Sequence, residues 1–404
     1  MKIIHTSDWH LGATLYGHDR LDDHREMLRQ LTETVASEQP DAMLVSGDIF
    51  DNSSPSAAAE RLLDSALMEL ADAGKPGMKI ILTSGNHDSP SRHTTHSAVY
   101  SRLGIHTIGS AGITADTDIA EIADRFIIRV GEKGTVIAVP YINRRNMPEG
   151  LFDGLTDIVS REISPTLPTV MMAHLPVSRS VTTGHSDADE RFVGGCENVE
   201  IDSLGHGYDY LALGHIHCPQ QWNTGNAIAR YCGTPLPISF DESYPHSVTI
   251  VELPAAGIIP TVTTVTLKPR RKLVTIGGPD GMDEEELTAA LTDAASDLPD
   301  GTFIRLNLRL PEGTIFPRRE TIAHLSALCG DLGLEYCTTN LLRSRRDDAA
   351  ALHTALTVSE MRDMTEEEIA AGLFRRKGLE WSDELAGLLA EAVAAVKADD
   401  NLKS

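Results

Sequence analysis

The sequence predicts an α/β protein: a four-layer α/β/β/α sandwich, then a small α+β domain and a C-terminal helical pair. Three observations carry that prediction. Over residues 1–175, apolar β-branched-rich runs alternate with helical periods, the pattern of a largely parallel sheet covered by helices. From about 205 to 267, strands follow one another with little helix between them, which reads as a second, more antiparallel sheet. Five of the strand runs end in short polar clusters of metal-ligand residue types.

The first region places strands at 2–6, 42–46, 79–83, 126–130, 135–139 and 169–173. Helices are expected from Asp22 to Glu38 and from Ser56 to Ala73. Ser53, Ser54 and Pro55 form a start signal for the second, and Gly74 ends it. The second region places strands at 209–213, 227–232, 247–253 and 261–267. These regions make one domain, 1–268. A new unit, 272–345, begins after Pro269-Arg270-Arg271. It has strands at 273–276, 303–310 and 334–337, and helices over 283–296 and 319–330. Acidic residues open the first of those helices, where the dipole favours them. Residues 347–357 read as a linker. In the last unit, 358–404, Thr365 and Glu368 form a capping box, Gly378 breaks the helix and Ser382 can cap a second. Leu385, Leu388, Leu389, Val393 and Val396 share one face of it. Two short amphipathic helices cannot bury such faces alone. They either dock on the body or bind a partner, and composition does not choose.

The bulk numbers exclude several classes. At 404 residues, with 41% hydrophobic and 23% charged residues, the chain has ample core for two or three globular domains. No run approaches the roughly 20 apolar residues that span a bilayer. The N-terminus, Met1-Lys2-Ile3-Ile4, reads as a strand and not as a targeting segment, so a cytoplasmic, nucleoid-associated location is expected. The five cysteines are scattered and odd in number, which argues against a disulfide framework or structural zinc site. Cys218 follows His217 and reads as a bystander. The net charge of −24 argues against a simple electrostatic nucleic-acid binder. Local basic segments at 268–272 and 343–346 would supply attraction for phosphate, or would be solvated linker charges.

The five clusters are Asp8-Trp9-His10, Gly47-Asp48, Gly85-Asn86-His87-Asp88, His174 and Gly214-His215-Ile216-His217. Strands folded with these ends together collect the donors into one pocket, and pockets of two divalent ions cleave phosphate esters. Asp8 and His10 are two apart, as are His215 and His217. In extended chain, such pairs face one side. Asp48 offers two carboxylate oxygens and can bridge two ions. Asn86 offers an amide oxygen, and His87 beside it would point elsewhere. A lone histidine at a strand end is more often an ordinary core or surface residue, and His174 alone would be read so. Five clusters, all after strands and mostly beside glycine, favour a metal centre. His18 and His185 lie in loops that would border it.

This order of clusters resembles that of the calcineurin-like metallophosphoesterases. Within that superfamily, Thr6–Gly12, Gly47–Asp51, Gly85–Ser89, Gly214–His217 and Arg230–Glu242 are similar to the SbcD family and its Mre-type repair counterparts. The similarity is strong over the first 270 residues and extends further by layout alone. It implies that Asp8, His10, Asp48 and His217 hold one ion, and that Asp48, Asn86, His174 and His215 hold the other. It implies Mn²⁺, with Mg²⁺ as the alternative, and it makes His87 the group that protonates the leaving oxygen. It further implies a nuclease acting 3′→5′ on duplex DNA ends and endonucleolytically on hairpins or single strands. Its partners would be DNA, an SbcC-like SMC-type ATPase held by the C-terminal helices, and a second copy of the chain, giving a heterotetramer. Helices at 56–73 and 94–103 are candidates for the dimer contact, and no membrane contact is implied. The alternatives are a phosphoesterase for phosphoproteins or cyclic nucleotides, or a non-catalytic scaffold. Gly47-Asp48-Ile49-Phe50-Asp51 departs from the phosphatase pattern, and the complete donor set disfavours a scaffold.

Overall fold

The computed structural model describes residues 1–162, 166–178, 180–181, 199–225, 227–310, 317–343, 382 and 385–389. The sheets form where apolar β-branched runs can bury both faces. β1 (Lys2–Thr6), β4 (Ala42–Ser46), β5 (Lys79–Thr83) and β6 (Ile105–Ile108) run parallel. β13 (Ser247–Glu252) pairs antiparallel with β1, and β14 (Thr261–Thr266) with β13. The order is β14-β13-β1-β4-β5-β6. The second sheet has the order β11-β12-β10-β9-β8-β7. It comprises β7 (Ile127–Arg129), β8 (Thr135–Ala138), β9 (Thr169–His174), β10 (Tyr210–Gly214), β11 (Gln220–Thr224) and β12 (Ala227–Tyr231). Strands β8, β9, β10 and β12 are mutually parallel.

Period-two alternation decides what each face meets. Ile4, Met43, Val45, Ile80 and Leu82 pack against the apolar stripes of α1 (Leu21–Glu38) and α2 (Ala57–Ala73). Ile3, Leu44, Ile81 and Val251 face the other way and join Val170, Met172 and Ala212 of the second sheet. Ile122 and Phe126 of α5 (Ile119–Phe126), with Leu155 and Val159 of α6 (Leu151–Glu162), complete the same cluster. The layers are therefore helices, sheet, sheet, helices, as expected. α2 is capped by Ser56, which accepts from the Ala59 N–H at 3.2 Å. Between α2 and α5 lie two single helical turns, α3 (Pro90–His93) and α4 (Ser97–Tyr100), followed by a 3-10 turn over Ser101–Leu103. A two-strand hairpin, β2 (Thr14–Leu15) and β3 (His18–Asp19), precedes α1.

Strand membership differs from the sequence expectation. Strands 247–252 and 261–266 return to the first sheet, while 127–129, 135–138 and 169–174 belong to the second. The second sheet is also mainly parallel. Antiparallel pairing returns the chain to Lys2–His5 across more than 240 residues, a contact that local periodicity does not encode.

The small unit has three strands in parallel, β15 (Leu273–Ile276), β16 (Phe303–Leu310) and β17 (Glu335–Arg343), with β16 central. Helices α7 (Glu284–Ala295) and α8 (Arg318–Asp331) bury Leu287, Leu291, Leu325 and Cys329 against it. Asp283 and Glu286 form a capping box at the start of α7. Within Met1–Ser344 this sheet belongs to the same compact unit as the sandwich. The joint is polar. Arg271 holds the buried Asp23 of α1 at 2.8 Å, and Asp23 also pairs with the buried Arg20 at 3.0 Å. Both guanidinium groups lie over the Phe303 ring, Arg271 at 4.3 Å. Arg270 lies 3.6 Å from Asp22. The 268–272 basic segment thus serves this joint. His18 serves it too: its Nε2 is 2.8 Å from the Tyr336 carbonyl.

The linker, the first C-terminal helix, His185 and most of the 343–346 basic segment fall outside the described residues. Ser382 accepts from the Leu385 N–H at 3.4 Å, the cap expected for the second helix, and Leu388 is exposed. No helix among the described residues is long and apolar enough to cross a membrane.

Candidate metal centre

The five clusters follow the carboxyl ends of β1, β4, β5, β9 and β10. Those strands run parallel within their sheets, and the structure brings all eight sequence-selected residues to one edge of the sandwich. Three groups of donors have ligand atoms within 4.8 Å of one another: Asp8, His10 and His217; His10, Asp48 and His87; Asp48, His174 and His215. Asn86 joins the third group, with its Oδ1 2.9 Å from His174 Nε2 and 3.0 Å from His215 Nδ1. Cys218 is in none of them.

The backbone reaches this edge by an unusual route. Asp8, His10, Asp48 and His215 all have positive φ, at 54°, 45°, 49° and 99°. Among the described non-glycine residues only Tyr16 and Gln39 share that sign. Left-handed backbone costs free energy and persists where surrounding structure enforces it. Asp8 and His10 therefore do not converge by extended alternation, as the spacing suggested. Bonds from the Asp8 amide to the Gly47 carbonyl at 3.0 Å, and from the His10 amide to the Asp48 carbonyl at 3.1 Å, hold the turn.

The glycines are explained by close approach. A Cβ on Gly214 would stand 1.8 Å from the Ser46 carbonyl oxygen, and one on Gly47 would stand 2.2 Å from His174 Nδ1. Neither position has room for any other residue.

Hydrogen bonds orient the donors. His174 Nδ1 donates to the Ser46 carbonyl at 2.8 Å, which turns Nε2 toward Asp48 Oδ2 at 3.2 Å. The His87 amide donates to Asp48 Oδ1 at 2.9 Å. His87 does not point away: its ring centre is 5.0 Å from that of His10, and its Nδ1 is 2.7 Å from the Asp51 carbonyl. Asp88 accepts from the amides of Gly85, Ile49 and Phe50 at 2.8–3.1 Å and ties two of the loops together.

Charge is concentrated here. Burial pushes the Asp8 carboxyl up to about 6. Burial opposes ionisation of Asp48 too, but the adjacent His174, His10 and His87 outweigh it and hold that carboxyl well below the usual range. The same balance, burial overcome by carboxylates, raises His10 and His174 to about 9. For His10 the carboxylates are Asp51, Asp48 and Asp8. For His174 they are Asp48 and Asp8.

Three contributors carried no role in the sequence reading: Asp51, Asp88 and Glu242. Asp51 Oδ1 lies 3.7 Å from His10 Nδ1. Glu242 Oε1 lies 3.3 Å from His217 Nδ1. Asp51 and Asp88 stand beside chosen residues, so proximity was the available signal. Glu242 had none.

Residues 1–219, more than half the chain, match the calcineurin-like phosphoesterase family. The SbcD component of nuclease SbcCD from Rhodobacter capsulatus is 36% identical over 285 residues, 64% of this chain and 68% of that one. The Bacillus subtilis SbcD protein is 33% identical over 299 residues, 70% and 74% of the two chains. The chain belongs to the SbcD family of calcineurin-like phosphoesterases. The Escherichia coli SbcD protein extends the match to 95% of this chain and 94% of its own, at 27% identity. As an SbcD-family member, this protein is a hydrolytic enzyme that uses divalent metal ions.

The residues present fit such ions. The histidine and carboxylate donor set suits borderline divalent metals. Ligands about 2.1 Å from a small divalent ion stand roughly 3 Å apart around it. The spacings of 2.9, 3.0 and 3.2 Å among Asn86, His174, His215 and Asp48 are of that size. Both ring nitrogens of the buried His10 lack a hydrogen bond, as expected of a side chain that turns a nitrogen to an ion.

Proposed function

We propose that this centre holds two divalent ions and cuts the phosphodiester backbone of DNA. Asp8, His10, Asp48 and His217 hold one ion, and Asp48, Asn86, His174 and His215 the other. The observation that carries the reading is the position of Asp48, whose carboxylate belongs to one donor group with His10 and to another with His174 and His215. The mixed nitrogen and oxygen donors favour Mn²⁺ over Mg²⁺, which prefers oxygen ligands and water. Two bound ions supply Lewis-acid charge to a phosphate oxygen and make a water acidic enough to act as nucleophile at neutral pH.

The chain's own residues do the rest. His87 Nδ1 is occupied by the Asp51 carbonyl, so proton transfer falls to Nε2. A protonated His87 gives that proton to the departing sugar oxygen, a contribution of about 10²–10⁴-fold for a general acid. The carbonyl of Asp51, fixed in chain, keeps the ring facing the centre.

The relatives are named as the SbcD components of the nuclease SbcCD, which supports an SbcC-like SMC-type ATPase as partner and DNA as substrate. In this reading, residues 1–268 cut, 272–345 contact DNA, and 358–404 hold the ATPase. Duplex ends are degraded 3′→5′, and hairpins or single strands are opened. A homodimer within a heterotetramer is part of the reading, as is a place in the cytoplasm at the nucleoid. Exposed Val99 and Leu103 on the 97–103 turns support a dimer contact there. On α2, by contrast, Leu63, Ala66 and Leu67 are already buried.

The test compares degradation of a linear duplex with dephosphorylation of a phosphopeptide, both in Mn²⁺. Cleavage of the duplex alone supports the reading, and activity on the phosphopeptide alone overturns it. His87→Ala should retain both metals by elemental analysis and lose most cleavage. Loss of both metals would contradict the role given to His87.

A further inference from the structure

Glu242 sits in the loop between β12 and β13, outside the five clusters. Its side chain is fully buried. A buried carboxylate is strongly disfavoured unless charges and hydrogen bonds offset the loss of water. Glu242 Oε2 accepts from the Ile238 amide at 2.9 Å and lies 3.7 Å from His246 Nε2. Oε1 lies 3.3 Å from His217 Nδ1, and the His217 ring stands 5.2 Å from that of His10 at 74°.

The two nitrogens of an imidazole flank Cε1, and their lone pair and N–H point in divergent directions. A carboxylate beside Nδ1 sets the tautomer, makes Nε2 the donor atom and raises its basicity. The loop that carries Glu242 is pinned on both sides. Arg20 Nη1 donates to the Pro237 carbonyl. Arg305, on the central strand of the small sheet, pairs with Asp241 at 2.8 Å and lies over the Phe240 ring at 5.2 Å. Arg305 is itself held by Thr275 Oγ1 at 3.0 Å.

We propose that Glu242 is a positioning residue for the metal centre: it turns Nε2 of His217 toward the ion, and Arg305 of the small sheet holds it in place to do so. This rests on the reading of His217 as a ligand. It makes the small sheet part of the metal centre's support, reaching it through two residues of one loop.

The test is Mn²⁺ titration of metal-free full-length protein by calorimetry, for wild type, Glu242→Ala, Glu242→Gln, Arg305→Ala and His217→Ala. Glu242→Ala should weaken one of the two ions by about 10–100-fold and leave the other unchanged. Glu242→Gln should fall between, because its amide oxygen stands beside Nδ1 as Oε1 does but carries no charge. Arg305→Ala should weaken the same ion by less. Unchanged affinity in the Glu242 variants overturns the proposal, as does equal loss at both ions, the sign of general destabilisation. If the alanine variant does not fold by circular dichroism, Glu242→Gln decides alone. His217→Ala separates the two claims. If it loses one ion while the Glu242 variants bind normally, only the present inference fails. If it keeps both ions, the ligand reading fails as well.

Discussion

Replacing Gly85 by alanine tests how closely the backbone is drawn around Asp48. A Cβ at this position would stand 2.0 Å from Asp48 Oδ1, 2.3 Å from its amide nitrogen and 2.7 Å from its Cγ. Ordinary contact begins at 3.4 Å, so the groups must part by about 1.4 Å. Nothing flexible stands in the way to yield. The carboxylate is held by the His87 amide at 2.9 Å and by His174 at 3.2 Å, and the Gly85 amide is held by Asp88 at 2.8 Å. Overpacking of this kind costs about 1–3 kcal/mol. Misplacing a group at a reacting centre by about 1 Å costs roughly 10²-fold in rate. Gly85→Ala is therefore expected to fold, to lose about 1–3 kcal/mol in urea unfolding, and to release nucleotides from a linear duplex about 100-fold more slowly. Wild-type stability together with a wild-type rate would show that Gly85 does not press on Asp48, and the reasoning from close approach would be refuted.

Three further outcomes follow from the charges. Asp23→Ala strips the ion-pair partner from Arg20, whose side chain is 1% exposed, and from Arg271. Removing one partner of a buried pair costs about 3–5 kcal/mol, to be read by urea unfolding, and a change under about 1 kcal/mol would contradict the joint described here. His10 and His174 are raised to about 9 in the metal-free protein, above the 6.5 of an unfolded histidine. Their contribution to stability is complete below 6.5 and is lost as pH rises through 9. The metal-free melting temperature should fall across that window. Metal binding needs both rings neutral, so Mn²⁺ affinity should rise over the same range as fewer protons are displaced. A Mn²⁺ affinity independent of pH between 6.5 and 9 would count against both histidines as ligands.

The donor clusters were legible because their signals are local. Each lies within a few residues of a strand end, and glycine marks the places where Gly47, Gly85 and Gly214 admit a neighbour. What fails to show locally is what depends on distant partners. Nothing in Ser247–Glu252 says that it pairs with Lys2–His5 and not with Ala227–Tyr231. β11, Gln-Gln-Trp-Asn-Thr, is a polar edge strand with weak strand composition. α5 has only eight residues, and α6 carries Gly154, whose missing Cβ makes room for Ile119 at 2.8 Å. Asp8 and His10 show a different limit: the spacing implied one side of an extended chain, whereas two left-handed residues make the turn. Glu242 shows the last limit. A carboxylate that orients a histidine from another loop leaves no spacing to read.

The central claim is that two ions share Asp48, and the number of Mn²⁺ ions bound per chain tests it most directly. Calorimetric titration of the metal-free protein should give two ions for wild type and loss of tight binding at both for Asp48→Ala, with the fold kept by circular dichroism. One ion in the wild type, or two tightly bound ions in Asp48→Ala, would contradict the account.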